Sequence, residues 1–414
     1  MTTETVSEKL AAFVESLEIP KNAFQKKSYE NLLQLDFPTT KNEYWKYTRV
    51  TKIQNTKYKI QKEVGVTIDE LRSELIAANY IVIENGVLRS DLSKYAQVGV
   101  TVKSIKPENT SEESSLDPNH IFTALNTSFF QEAIEIHVEA KTEMTEPLQL
   151  IFVTTGKNTF ANPRIKIVAQ KFSSTKFVAS FISHKSENSF NNVITEFVVG
   201  ENAVLVYDKI QNESEANFHI STEEVSQEKN SNFKINTVTL DGTLVRNNIN
   251  ISVNGENCET HMNGVIIAKG NSHVDNHTFV NHKVANCFSN ENYKYVLEDK
   301  STGVFNGRVI VQQHAQKINA YQKNGNILLS DFAQIFSKPE LEIYADDVKC
   351  SHGSTTGQLD ENAIFYLQAR GISKDKAKKL LVSAFVGEVI EQFSSDAMRD
   401  KINQVLVEKH NWTV

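Results

Sequence analysis

Cysteine is scarce. The 414-residue chain has three, Cys258, Cys287 and Cys350, widely spaced and with no CxxC between them. That spacing excludes a disulfide framework and a self-contained structural zinc site, and fits free thiols in a reducing cytoplasm. No apolar run approaches the ~18 residues that a membrane-spanning helix needs. Basic residues are not in excess: the formal net charge is −7, which disfavours nucleic acid or anionic membranes as partners. The opening MTTETVSEKLAAFVESLE is acidic and amphipathic, without the basic start and apolar core of a secretory leader. A cytoplasmic protein is therefore expected. Nucleotide motifs are missing too. There is no GxxxxGK[ST], no GxGxxG after a strand and no GxSxG, and Gly303-x-x-x-Gly307-Arg308 is not a phosphate loop. The chain is not expected to hydrolyse nucleotides by itself.

What is present divides into three regions. The length allows a large core and two or three domains, and the composition, 40% hydrophobic and 23% charged, is that of an ordinary globular chain. Residues 1–130 read as mostly helical. Thr5-x-x-Glu8 caps a helix to about Leu17, with Leu10, Phe13, Val14 and Leu17 on one face. A second helix runs from Asn22 to Leu35, and Thr67-x-x-Glu70 opens a third with Leu71, Leu75 and Ile76 as its stripe. Tyr80 to Leu88 reads as a short hairpin turning at Asn85-Gly86. The polar stretch 101–120 reads as a loop or linker.

Residues 131–356 are a long run of short strands such as AIEIHVEA, LQLIFVTT, KFVASFIS, FKINTVTL and GVFNGRVIVQ, with no helical segment between them. Residues 231–330 hold 18 asparagines, which favours tight turns and left-handed corners. Many strands without helices mean a sandwich, a barrel or a β-solenoid. No repeat of fixed length selects the last. Residues 357–414 return to helix. Asp360 caps LDENAIFYLQAR and Gly371 ends it. Ser373 caps KDKAKKLLVSAFVGEVIEQF, whose Leu380, Leu381, Ala384, Phe385, Glu388 and Val389 form one face. Ser395 begins a last helix.

Two residue groups carry candidate chemistry. Cys350 and His352 stand at i and i+2 on an extended segment, on one side of it and roughly 6–7 Å apart. Both are metal ligands and both can handle sulfur. Lys349 favours the thiolate, and Asp346 and Asp347 oppose it. An iron–sulfur or zinc site takes about four protein ligands, so this pair needs ligands from elsewhere, such as a second chain. His273, Asp275 and His277 share one face of a strand. They either hold a metal or hydrogen-bond to neighbouring strands, with Asp275 fixing a histidine tautomer. Cys258, near His261, and Cys287 read as buried thiols.

Five blocks resemble a known family: LEIYADDVKCSHGSTTGQLDENAIFYLQARGI, AKKLLVSAFVGEVI, HVDNHTFVNH with Cys287 downstream, GVFNGRVIVQQHAQKINAYQKNGNILLS, and NEYWKYT around Trp45, Lys46 and Tyr47. Through them the chain is similar to the SufB/SufD family of cytoplasmic iron–sulfur cluster assembly proteins, and with only three cysteines to its SufD branch. The resemblance implies a right-handed parallel β-helix core between N-terminal and C-terminal helical regions. It implies a non-catalytic scaffold in complex with SufB and the ATPase SufC, and a homodimer when the partners are absent. It puts the functional pair of the SufB–SufD interface on Cys350 and His352, with His352 as ligand for iron or nascent cluster and a SufB cysteine opposite. SufC would dock on the helices from about Asp360 to Phe393, through Ile364, Phe365, Leu367, Leu381, Phe385 and Val389. No cofactor would stay tightly bound to the chain alone. Iron or a cluster would be transient in the complex, and reduced flavin is associated with some complexes of the family. Two alternatives come from other classes: a β-helix polysaccharide lyase or hydrolase, and a self-contained metal-binding protein using His273, Asp275 and His277.

Overall fold

The computed structural model describes residues 7–61, 65–110, 116–410 and 412. Thr5 of the expected helix cap and residues 111–115 of the expected linker lie outside the described residues. From Leu148–Lys157 onward the chain alternates between two sheets. It passes through Arg164–Ala169, Ser174–Glu187 and Phe190–Val199, and so on to Gln334–Ile343 and Val348–Gly357. Each strand lies parallel to the one a full coil away. The result is a parallel β-solenoid of about eight turns with helices at both ends; sandwich and barrel are set aside.

The missing repeat has a plain cause. Phe218 pairs with Leu244, a step of 26 residues, whereas Thr302 pairs with Gln334, a step of 32. Coil length varies in the turns while the strands stay in register, so the sequence shows no fixed period. The interior is apolar, with Leu150, Phe177, Leu205, Phe233, Met262 and Tyr293 in one continuous core. Helices also cover the outer faces. Strands buried on both sides read as apolar runs rather than clean alternation.

One corner of each coil turns through the left-handed region, at Lys141, Phe172, Asn202, Asn230, Asn257, Asn286 and Lys317. There the backbone N–H points along the solenoid axis: Asn202 N donates to Lys229 O at 2.9 Å and Asn230 N to Glu256 O at 2.8 Å. Asparagine adopts this conformation more readily than other non-glycine residues, and here its side chain adds a ladder. The Asn230 amide donates to Asn202 Oδ1 at 3.0 Å, and the Asn257 amide to Asn230 Oδ1 at 3.1 Å. This is the physical meaning of the asparagine-rich stretch. Gly255 sits at the same turn. A Cβ there would overlap the backbone of Lys229 and Glu228 in the coil before.

Helices α1 (Glu8–Glu15), α2 (Ala23–Leu32), α3 (Thr51–Gln54) and α4 (Ile121–Phe129) belong to the N-terminal layer. Leu10, Phe13, Val14 and Leu17 are all buried, and with Phe122, Leu125 and Phe129 they pack on Phe160, Phe190 and Phe218 of the second sheet. The hairpin at Asn85-Gly86 forms, with Ile83 opposite Leu88 and both turn residues at positive φ. The segment after Thr67 is not the expected α-helix but a 3-10 turn, Asp69–Glu74. Thr67 does bond to Glu70. However, Gln149 Oε1 accepts from the N–H groups of Ile76 and Ala77 at 2.8 and 3.2 Å and draws the chain into the sheet. The expected linker also holds a strand, Val100–Ile105, antiparallel to Ala133–Val138.

Helices α5 (Glu361–Ala369), α6 (Lys374–Ile390) and α7 (Asp396–His410) follow the solenoid, capped by Asp360, Ser373 and Ser395 as their spacing implies. Helices α6 and α7 cover the first sheet. Val382, Val386, Val389, Ile402 and Leu406 pack on Val238, Val265, Ile267 and Val296. The apolar face of α6 is thus rotated from the expected one, leaving Leu380 exposed. Lys294 fixes the seating by donating to Phe385 O at 2.7 Å and pairing with Glu388.

The backbone overlap at Gly255 generates a test of the stacking. Gly255→Ala is expected to cost about 1–3 kcal/mol, the usual penalty for forcing atoms into a filled space. Chemical denaturation checks it, and wild-type stability would mean that the two coils do not approach there.

Candidate functional site

The two ends of the solenoid differ. At the N-terminal end the outermost strands, Val87–Leu88 and Val100–Ile105, are short and antiparallel to their neighbours. At the other end, Gln334–Ile343 and Val348–Gly357 are the outermost strands of their sheets. Among the described residues neither has a strand on its outer side. Residues 351–357 are all exposed. Edges of this length are ordinarily protected or paired.

Cys350 and His352 lie on that last strand. Cys350 pairs with the core residue Ala320, and His352 with the buried Gln322. Both therefore follow the inward register, on one face as their spacing implies. Cys350 is half-buried and His352 exposed. Burial pushes the Cys350 thiol up, and a backbone hydrogen bond from Ala320 only partly offsets this. The expected influence of Lys349 does not outweigh burial. Ser354 continues the face, 2.8 Å from Ser337 Oγ across the open end. Behind His352 stands a polar column. Gln322 donates to Glu291 at 3.4 Å, and Glu291 also accepts from Thr278 at 2.7 Å. Glu291 is fully buried, which pushes its carboxyl up to about 7. Sequence reading missed Gln322 and Glu291, because only the coil register aligns them with His352. Among the described residues no cluster of three or more His, Cys, Asp or Glu could hold a metal ion. The thiol and imidazole are thus a partial ligand set.

His273, Asp275 and His277 do share a face, but their partners are local. The NEYWKYT segment lies across them as a strap. Thr48 Oγ1 donates to Asp275 Oδ2 at 2.5 Å and stands 2.8 Å from His273 Nε2. Arg246 bonds the same carboxylate oxygen at 2.6 Å, and His277 Nε2 is 3.0 Å from the other. The guanidinium of Arg246 also sits 3.8 Å over the Trp45 ring. Tyr47 stacks on Phe336 at 4.1 Å, and Lys338 pairs with Glu43 at 2.6 Å. The carboxylate thus already faces a buried cation, which opposes a metal ion at the same place. Burial holds the pKa values of His273 and His277 down, and Arg246 and the two histidines hold Asp275 well below the usual carboxylate range despite its burial. His282, at the end of the same strand, turns inward to Ser289 Oγ at 2.9 Å, and burial pulls it down to about 4.

The expected docking residues separate by exposure. Ile364 and Val389 are buried within the chain and offer no surface. Leu367, Leu381 and Phe385 are half-buried, Phe385 against the sheet at Gly325. Phe365 is 72% exposed, and beside it Tyr366, which sequence reading left out, is 56% exposed.

Fold and site together define a class: a β-solenoid scaffold with a thiol and an imidazole on its last coil. A family model for the core domain of SufB and SufD proteins of the SUF iron–sulfur system matches residues 152–385, and one for their N-terminal region matches residues 9–150. The chain belongs to the SufB/SufD family of iron–sulfur cluster assembly proteins. It is 28% identical to the SufD iron–sulfur cluster assembly protein of Escherichia coli, over 90% of this chain and 89% of the relative. It is also 28% identical to a SufBD family protein of Synechocystis, over 89% and 87%, and 28% identical to the chloroplastic protein ABCI7 of Arabidopsis thaliana, over 96% and 88%. No helix among the described residues is long and apolar enough to cross a membrane.

Two outcomes test this account of the histidine-rich strand. Asp275→Ala strands the buried guanidinium of Arg246 and is expected to cost about 3–5 kcal/mol of stability, measured by denaturant unfolding. A metal site would instead show as lost metal with little change in stability. His282 has a folded pKa below its unfolded value, so the unfolded chain binds the proton first. Its contribution is complete above about pH 6.5 and lost as pH falls toward 4, on the order of 3 kcal/mol. His282→Gln should flatten that part of the stability–pH curve relative to wild type. An unchanged curve would show that His282 is not held neutral by the core.

Proposed function

We propose that this chain is a non-catalytic scaffold subunit that pairs through its open solenoid end with SufB and builds or admits a nascent cluster at the junction. The observation that carries this reading is the combination at one place of unpaired sheet edges and half a ligand set. Strand addition by a partner satisfies the exposed backbone groups of Gln334–Ile343 and Val348–Gly357. It also brings partner side chains against Cys350 and His352, so a site wanting about four ligands is completed across two chains. His352 is the iron or cluster ligand in this reading, because it is exposed and its imidazole needs no activation. Cys350 is secondary, since its thiol is raised by burial. The partner contributes the missing cysteine. A second copy of this chain meets the same edges when SufB is absent, giving a homodimer.

Helices α5 and α6 supply the second contact, to the ATPase SufC. The aromatic pair Phe365 and Tyr366, with Leu380, is the exposed apolar surface that such a partner would cover. ATP hydrolysis belongs to SufC. Its movement would reach the open end through the short segment joining Gly357 to Asp360. Iron and sulfide are cargo here, and reduced flavin, where present, belongs to the assembled complex. The compartment is the cytoplasm.

The test is co-expression with SufB and SufC and purification without oxygen. His352→Ala is expected to leave the three-protein complex intact while bound iron and sulfide fall to background. Phe365→Ala with Tyr366→Ala is expected to lose SufC and keep SufB. Normal iron and sulfide in the His352 variant would overturn the assignment.

A further inference from the structure

Cys258 and Cys287 each stand immediately before the first rung of neighbouring first-sheet strands, where Glu259 pairs with Phe288. One coil earlier the same place is held by Ser231, since Asn232 pairs with Glu259. The two cysteines are far apart in sequence and adjacent along the solenoid axis. Residues on one rung of adjacent parallel strands are about 4.8 Å apart, inside the roughly 4.4–6.8 Å that a disulfide spans between Cα atoms. Their sulfurs converge. Cys258 Sγ lies 3.0 Å from Gly255 O and Cys287 Sγ 3.4 Å from the same oxygen. Ser231 Oγ closes the stack, 3.4 Å from Cys258 Sγ. Both thiols are free and buried, but the layer above them is thin: Glu256, Asn257 and Asn286 are exposed.

We propose that Cys258 and Cys287 are a redox-modification site, a cross-coil dithiol that a peroxide converts to an intramolecular disulfide. The Cys258 thiolate attacks one oxygen of hydrogen peroxide, the O–O bond breaks, and the leaving hydroxide takes up a proton to become water. Cys258 is then a sulfenic acid. Cys287 sulfur attacks Cys258 sulfur, the S–O bond breaks, and the second oxygen leaves as water with the thiol proton. Two thiols have lost two electrons to the peroxide, and one S–S bond has formed.

The local chemistry assigns the order. The neighbouring Cys287 thiol and the Ser231 hydroxyl hold the Cys258 pKa down, while the Cys258 sulfur and burial push Cys287 up. Cys258, with the Ser231 hydroxyl beside its sulfur, is therefore the attacking thiol, and Cys287, whose sulfur faces the Gly255 and Ala285 carbonyls, the resolving one. The product staples one coil to the next without engaging Cys350. It stands apart from the open end, so it does not depend on the scaffold assignment.

The experiment uses the full chain carrying Cys350→Ser, so that only the pair remains. After exposure to hydrogen peroxide, denaturation and alkylation, intact mass is expected to show both thiols lost together, no oxygen retained, and full recovery on reduction. Adding Cys287→Ser should halt Cys258 at a sulfenic acid that dimedone captures. Adding Cys258→Ser should leave Cys287 alkylatable, with oxidation at least about tenfold slower. Serine is tolerated at this place, as Ser231 shows. Thiols that stay alkylatable in the Cys350→Ser chain, independent over-oxidation of each, or disulfides between chains would overturn the proposal.

Discussion

Every coil of this solenoid depends on the coil beside it for its backbone hydrogen bonds. A parallel strand has no hairpin partner, so its N–H and C=O groups are satisfied only by neighbours a whole coil away. The left-handed corners from Lys141 to Lys317 serve the same constraint, because at six of the seven the backbone N–H bonds to a carbonyl of the next coil. The constraint cannot be met at an end without a cap. The first coils end in the short antiparallel strands Val87–Leu88 and Val100–Ile105, whereas the last coil ends in two ten-residue strands with no strand beyond them among the described residues. The candidate site is where the stacking rule goes unsatisfied, and this is why its chemistry is incomplete in the same place as its hydrogen bonding.

Apolar packing attaches the flanking layers, and buried polar anchors fix how they sit. Arg246 and Asp275 hold the strap on the second sheet, while Lys294 hands α6 a charge-assisted bond on the first. Asp208 does the same for the α6–α7 junction, accepting from the Ser394 N–H and hydroxyl at 2.7 and 2.6 Å. Buried charges are costly unless paired, so each anchor admits few arrangements of the layer above it. The interior keeps polar groups as well, such as Lys209 with Glu223 and Asn247. These bonds bridge the two sheets, Lys209 from the first reaching Glu223 and Asn247 in the second.

Much of this was legible in the residues. Strand runs, helix caps at Asp360, Ser373 and Ser395, and the hairpin at Asn85-Gly86 follow local rules that depend on neighbours a few positions away. The solenoid itself was not legible from spacing, because coils of 26 to 32 residues carry no period; only resemblance selected it. The Cys350 and His352 face was legible from strand alternation. Gln322 and Glu291 behind it were not, since register between coils is a tertiary fact. The histidine-rich strand was read with both a metal and a hydrogen-bonding alternative, and what separates them is Arg246 and Thr48, which are remote in sequence. The face of α6 was misjudged because the helix is apolar on more than one side, and the sheet beneath decides which side is buried.

The strap has a consequence for how the chain is made. Glu43 meets Lys338 across 295 positions, and Thr48 meets His273 across 225. Synthesis runs from the N-terminus, so NEYWKYT emerges long before the strands on which it closes. For most of translation Tyr47 lacks the Phe336 ring it stacks on and Thr48 the Asp275 carboxylate it bonds, and contacts of such sequence separation form late and slowly. The strap is therefore a latch that reports completion: it can shut only on a solenoid whose later coils are already wound.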